Sequence, residues 1–212
     1  MRRRTSALVA SILIGLTLAA CDATGAHGQP DPAAIGLQSG DLPGEFQRCS
    51  SSSEIGSYLR VLQARNQTAR DELASAWREV QDYGGSQAAV TVYSQQRAAC
   101  DARLAAGDGP SVTTVVVRFH NESAASDAYQ RGMFGFSTPS EGAEVPGLTR
   151  GVATGVGRNA WILQRTVNKR SLMVALWQRH LIAVLFVAVD ADPLHANQAI
   201  AAVDRRTARM DL

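Results

Sequence analysis

The chain has 212 residues, 45% of them hydrophobic and 19% charged, with a formal net charge of +2. Arg2, Arg3 and Arg4 supply that excess, and from residue 21 onward 18 basic residues face 19 acidic ones. A balance so close to neutral excludes the broad basic footprint of a nucleic-acid binder and a polybasic patch for anionic lipid, so no nucleic-acid partner is expected.

In chain order, the cationic start is followed by an apolar stretch from Leu8 to Leu18 that is too short to span a bilayer comfortably. Small residues then close the segment at Leu18-Ala19-Ala20-Cys21. This is the anatomy of an export signal. The tetrapeptide resembles the lipobox of bacterial lipoproteins, and the resemblance implies that residues 1–20 are a signal peptide removed on export. It also implies that Cys21 carries a diacylglyceryl group, with palmitate-type chains holding the protein on the extracytoplasmic face of the cell membrane. Each buried acyl methylene contributes ~0.8 kcal/mol, and stable anchoring takes at least two chains. An ordinary signal peptide or an uncleaved anchor helix are the alternatives.

Residues 21–35 are small, polar and Pro/Gly-bearing, which predicts a flexible tether holding the domain roughly 20 Å from the membrane. Residues 36–212 suit a single extracytoplasmic domain with its own core. Two cysteines remain after Cys21, Cys49 and Cys100. An even residual count in an exported chain predicts a disulfide between them. Closing that loop stabilises by roughly 4 kcal/mol on the chain-entropy argument.

Ser51 followed by Glu54 reads as a capping box opening a helix. Ile55, Leu59, Leu62, Asn66, Ala69, Leu73, Ala76 and Val80 then recur at spacings of four and three, one stripe on a helix that ends at Tyr83-Gly84-Gly85. A second cap at Thr68 with Asp71 would instead split it near Asn66. The stripe serves either a core or a partner helix, although two Ala and an Asn make a weak coiled-coil seam. Ala89–Ser94 and the β-branched run Val112–Phe119 predict strands. Asn121 caps a short helix through Arg131, and residues 132–150 read as a Gly/Pro-rich loop. Strands are predicted over 160–168, 171–179 and 181–190, joined by tight turns at Asn168-Lys169-Arg170 and near Arg179-His180. Asp192 with Pro193 opens a final helix to about Arg209.

Val115–Phe119 with its Asn-capped helix is echoed by Val184–Val189 with its Asp-capped helix, which predicts two similar halves, each a strand hairpin closed by a helix on one face. The fold class is α+β, an antiparallel sheet with helices packed on it. Gly40-Asp41-Leu42-Pro43 with Phe46, Trp77, Tyr83-Gly84, Tyr93, Arg118-Phe119 and the last strand–helix pair together resemble lipoproteins of actinobacteria and related Gram-positives. They are also similar to the extracytoplasmic sensor-type domains of actinobacterial kinases. The resemblance implies a binding or sensing role and carries over no catalytic residue.

The polar residues have plain readings. His27, His120, His180 and His195 show no metal-ligand spacing, so no metal is expected. Gly155-Val156-Gly157-Arg158-Asn159-Ala160 precedes a strand rather than a helix, which makes it a turn and not a dinucleotide fingerprint. Asp190-Ala191-Asp192 reads as a helix cap. No nucleophile elbow or Ser-x-x-Lys pair is present, so no catalytic residue and no cofactor are assigned. Met133, Phe134 and Phe136, with Pro139 and Pro146 nearby, are the candidate ligand or partner site. Either they line a site for a small molecule, a lipid or an envelope protein, or the loop folds back as a lid and buries them. The expected function is thus a membrane-tethered, non-catalytic binding or sensing module. An assembly role through the helix stripe and an enzyme with an unfamiliar site are the alternatives.

Overall fold

The computed structural model describes residues 31–102, 104 and 109–209. The expected signal segment, Cys21 and His27 lie outside them. Eight antiparallel strands form one sheet: β1 (Gln47–Arg48), β2 (Ser53–Glu54), β3 (Gly85–Ser94), β4 (Ser111–Phe119), β5 (Leu148–Arg150), β6 (Ala160–Val167), β7 (Arg170–Arg179) and β8 (Ile182–Val189). Their order across the sheet is β1-β3-β4-β8-β7-β6-β5, with β2 beside β1 on the same edge of β3. The helices are α1 (Pro32–Ile35), α2 (Ile55–Arg65), α3 (Gln67–Asp82), α4 (Glu122–Arg131) and α5 (Pro193–Arg209). The fold is α+β, as expected.

The central strands explain the layering. All eight residues of β8 are buried, so no apolar/polar alternation marks an inside and an outside. Val115, Val117 and Phe119 of β4 join one core with α2, α3 and α4. Val112 and Val116 join a second core with Ile35 of α1 and with Ala196, Ala199, Ile200 and Val203 of α5. The sheet is therefore the middle of three layers. A two-fold axis through the antiparallel pair β4–β8 would place their following helices on the same face. They lie on opposite faces, so the echo in the sequence is local and the two halves do not repeat in space.

Several boundaries fall where local chemistry puts them. Asn121 Oδ1 accepts from the Ala124 amide and Asp192 Oδ1 from the Leu194 amide, both as predicted caps. The long helical pattern is split at Asn66, which ends α2 and caps α3 through the Ala69 amide, so Asn66 rather than Thr68 is the cap. Ser51 does not cap α2. The carboxylate of Glu54 accepts from the Gly56 and Ser57 amides instead. The serines are engaged at the sheet edge: the Ser52 hydroxyl accepts from the Val92 amide and donates to its carbonyl, bridging the gap between β1 and β2.

The last residues of the expected tether are structured. Asp31 caps α1 through the Ala33 amide, and Ile35 is fully buried. Arg206 of α5 clamps this segment, donating from Nε to the Ile35 carbonyl at 2.9 Å, from Nη2 to Gly36 O at 3.0 Å and from both Nη atoms to the Asp41 carboxylate. Leu37, Leu42 and Phe46 then cover the second face of the sheet. Among the described residues, no helix is long and apolar enough to cross a membrane.

Candidate functional site

The loop after α4 holds the aromatic cluster. Gly132 leaves the helix at φ 93°, and a Cβ there would lie 2.1 Å from the Phe136 carbonyl oxygen, so only glycine fits. The Met133 and Phe136 backbones then bond to each other in both directions, at 3.1 and 2.9 Å. Phe134 and Gly135 between them have φ of 53° and 82°, the signature of a two-residue type I′ turn. The Thr138 hydroxyl donates to the Tyr129 carbonyl of α4 and accepts from Trp161 Nε1 at 3.1 Å, which ties down the far side.

This miniature hairpin gives the segment the regular backbone partner that its glycines and prolines concealed. It also turns the aromatics inward. Met133 is 2% exposed and Phe134 7%, both within the core under α2 and α3, while Phe136 is half-buried. Of the two readings of the loop, the fold-back is the one observed for Met133 and Phe134. Residues 140–147, with Pro146, stay exposed.

The fold-back does not close completely. A groove of about 260 Å³ lies between the turn and α3, lined by Ala69, Leu73 and Ala76 of α3, Leu104, Phe134 and Phe136, with Glu72 and Gly135. Ala69 and Ala76 sit two helical turns apart, and their small side chains leave the space that Leu would fill. Drug-sized ligands occupy ~300–1,000 Å³, so this groove fits a single ring or a short run of methylenes. The aromatic half of the lining was readable from the chain. The α3 half was not, because Ala69, Leu73 and Ala76 look like any other stripe residues.

The polar candidates stay apart from the groove. Both carboxylates of 190–192 are engaged: Asp190 accepts from Arg170 Nε at 2.7 Å and from the Ser171 amide, and Asp192 caps α5. Gly155 and Gly157, at φ 78° and 128°, lead from a 3₁₀ turn toward β6. His180 lies in the β7–β8 turn beside Glu122, and His120 and His195 flank helix starts. Among the described residues, no group of three or more His, Cys, Asp or Glu could hold a metal ion. Burial, with a smaller push from the Asp101 carboxylate, raises the Tyr58 hydroxyl from 10.0 to about 12. Burial raises Tyr93 and Tyr129 as well. Each shift holds the proton on the phenol and gives no base near neutral pH.

Cys49 and Cys100 form the predicted disulfide, with a Cα–Cα distance of 5.5 Å across 51 residues of sequence. It ties the sheet edge at β1 to the 3₁₀ turn Arg97–Asp101. Compared with protein-family models, curated proteins and solved structures, the chain matches none.

Proposed function

We propose that the protein is a lipid-anchored extracytoplasmic module that binds a small apolar group without catalysis. The observation that carries this reading is the groove between α3 and the Phe134-Gly135 turn, an apolar recess whose walls come from α3, Leu104 and the turn itself. Walls of Leu73, Phe134 and Phe136 take up a ring or methylenes by removing apolar surface from water, at about 25 cal/mol per Å². The structured oxidised domain and the Cys21 signal fit an envelope location, reached through an acylated N-terminus. Burial of Ile55, Leu62, Ala69, Leu73 and Val80 in the first core favours this reading over an assembly interface along the helix stripe, of which Leu59 and Ala76 stay partly exposed.

Two measurements test the two parts. Protein purified from its host should release an apolar small molecule or lipid on solvent extraction, and Ala76→Leu, which fills the groove, should abolish its retention. Protein that carries nothing, and that binds a fluorescent fatty-acid probe no better than Ala76→Leu does, would sink the binding reading. For the anchor, Cys21→Ser should end incorporation of labelled palmitate. Continued labelling of that variant would remove the lipoprotein reading and leave the groove untouched.

A further inference from the structure

We infer that the Cys49–Cys100 disulfide is a redox latch on the apolar groove of α3, and that reduction by a dithiol frees the Leu104 wall and weakens apolar binding. The inference rests on the reading of that groove as a binding site and adds its regulation.

The coupling runs through the connection between β3 and β4. Ser94 pairs with Ser111 and the Gln95 amide donates to the Pro110 carbonyl at 3.1 Å, after which the chain leaves the ladder. It reaches the helical layer through the 3₁₀ turn Arg97–Asp101 and then Leu104, which packs on the first core and lines the groove. Between its two ends on the ladder this excursion carries one covalent tie, from Cys100 to Cys49.

Hydrogen bonds gather at the same point. Asn66 Nδ2 donates to the Asp101 carbonyl at 3.0 Å, Ser51 Oγ donates to the Cys100 carbonyl at 3.4 Å, and Arg65 Nη1 donates to both Asp101 oxygens at 3.1 and 3.3 Å. The Arg65 side chain is 47% exposed, and an ion pair so open to water restrains a chain weakly. With the disulfide gone, the turn hangs on these bonds and on the packing of Leu104. Asn66 carries the effect into α3, because its Oδ1 accepts from the Ala69 amide at 3.0 Å and Ala69 also lines the groove. Two lining residues thus lie within a few positions of groups that the tie holds.

The bond is also within reach of a reductant. Cys49 is buried, Cys100 is partly exposed, and both line an open groove of about 500 Å³ between β1 and the 3₁₀ turn. Exchange proceeds by attack of one thiolate of a dithiol on Cys100 Sγ, with cleavage of the Sγ–Sγ bond and departure of Cys49 as a thiolate that takes up a proton. The second thiol of the reductant then attacks the mixed disulfide and displaces Cys100, which is protonated in turn. Two electrons and two protons pass to the protein, and the reductant leaves as a disulfide.

The test follows a fluorescent fatty-acid probe on the full chain, first oxidised and then treated with dithiothreitol without denaturant. Both Cys49 and Cys100 should become thiols, located by peptide mapping, while circular dichroism stays native. Amide exchange should rise over residues 97–102 and stay constant over the turn 133–136, and probe affinity should fall about tenfold, the share of binding that a leucine wall supplies. Reoxidation should restore it. Cys49→Ser/Cys100→Ser should match the reduced protein, and Leu104→Ala, which keeps the disulfide, should bind weakly in both redox forms. A bond that yields to the dithiol only in urea overturns the inference, as do unchanged exchange over 97–102, wild-type affinity in Leu104→Ala, and loss of native circular dichroism on reduction. Equal affinity of the oxidised and reduced forms overturns it too and leaves the groove reading standing. Oxidised protein that binds the probe no better than Ala76→Leu removes the groove reading, and the latch falls with it.

Discussion

Truncating Phe134 separates two contributions that oppose each other at one residue. The ring is 7% exposed within the first core, so Phe134→Ala removes nearly all of a buried aromatic. Such truncations cost ~3–5 kcal/mol, and the lower end applies here because the ring also borders an open groove. A loss of about 3 kcal/mol corresponds to a melting temperature lower by roughly 6–12 °C in a domain of this size. The backbone acts in the other direction, because φ of 53° places an L-residue in the left-handed region, at a cost of about 1–2 kcal/mol. Phe134→Gly relieves that strain while losing about 0.5–1 kcal/mol to the freedom of glycine in the unfolded chain. The glycine variant should therefore be at least as stable as the alanine variant, by up to about 1 kcal/mol, although glycine is the worse choice at most positions. Urea unfolding followed by circular dichroism measures all three proteins. A cost under about 1 kcal/mol for Phe134→Ala would show that the ring does not serve as core. A glycine variant more than about 1 kcal/mol below alanine would show that the turn is not strained at Phe134.

Other perturbations probe the rest of the frame. Arg206→Ala should cost about 3 kcal/mol, because it strands the partly buried Asp41 carboxylate and the Ile35 and Gly36 carbonyls, and hydrogen exchange should rise over residues 32–46. Unchanged exchange there would mean that the clamp does not hold the segment. Reducing the Cys49–Cys100 bond should lower stability by roughly 4 kcal/mol, and non-reducing peptide mapping should recover the two cysteines linked; quantitative labelling of both in native protein contradicts this. Folding raises the Tyr58 hydroxyl above its unfolded value, so the native state binds the extra proton and the associated stability is complete below pH 10. It should be lost as pH rises from about 10 to about 12, by on the order of 2–3 kcal/mol, and Tyr58→Phe should flatten that decline relative to wild type.

The chain was most readable where local rules and packing agree. The turn at Asn168-Lys169 and the caps at Asn121 and Asp192 depend on nearest neighbours, and the elements beside them start within a residue or two of the predicted ones, whereas β3 starts four residues before the predicted Ala89. β1, β2 and β5 were missed because two or three residues carry no periodicity; they exist through pairing with β3 and β6. The face on which each helix packs was equally hidden. A strand as uniformly apolar as β8 does not say which helix covers which side. At the candidate site, residue type singled out Met133, Phe134 and Phe136, but their burial depends on a contact with α3 some sixty residues away in sequence.

The Arg206 clamp also has a mechanical consequence. It stitches the segment entering the domain at α1 to the last helix, so tension arriving at Asp31 does not begin by peeling a strand from the sheet. The load passes first into a guanidinium that bonds one carboxylate and two carbonyls at once, and from there along α5, which lies across β7 and β8. Several bonds sharing a load in parallel resist it far better than the same bonds broken in turn. Asp41 and Arg206 thereby form a strain relief at the domain's point of entry, shielding the hydrogen-bonded ladders behind it from any pull on the preceding chain.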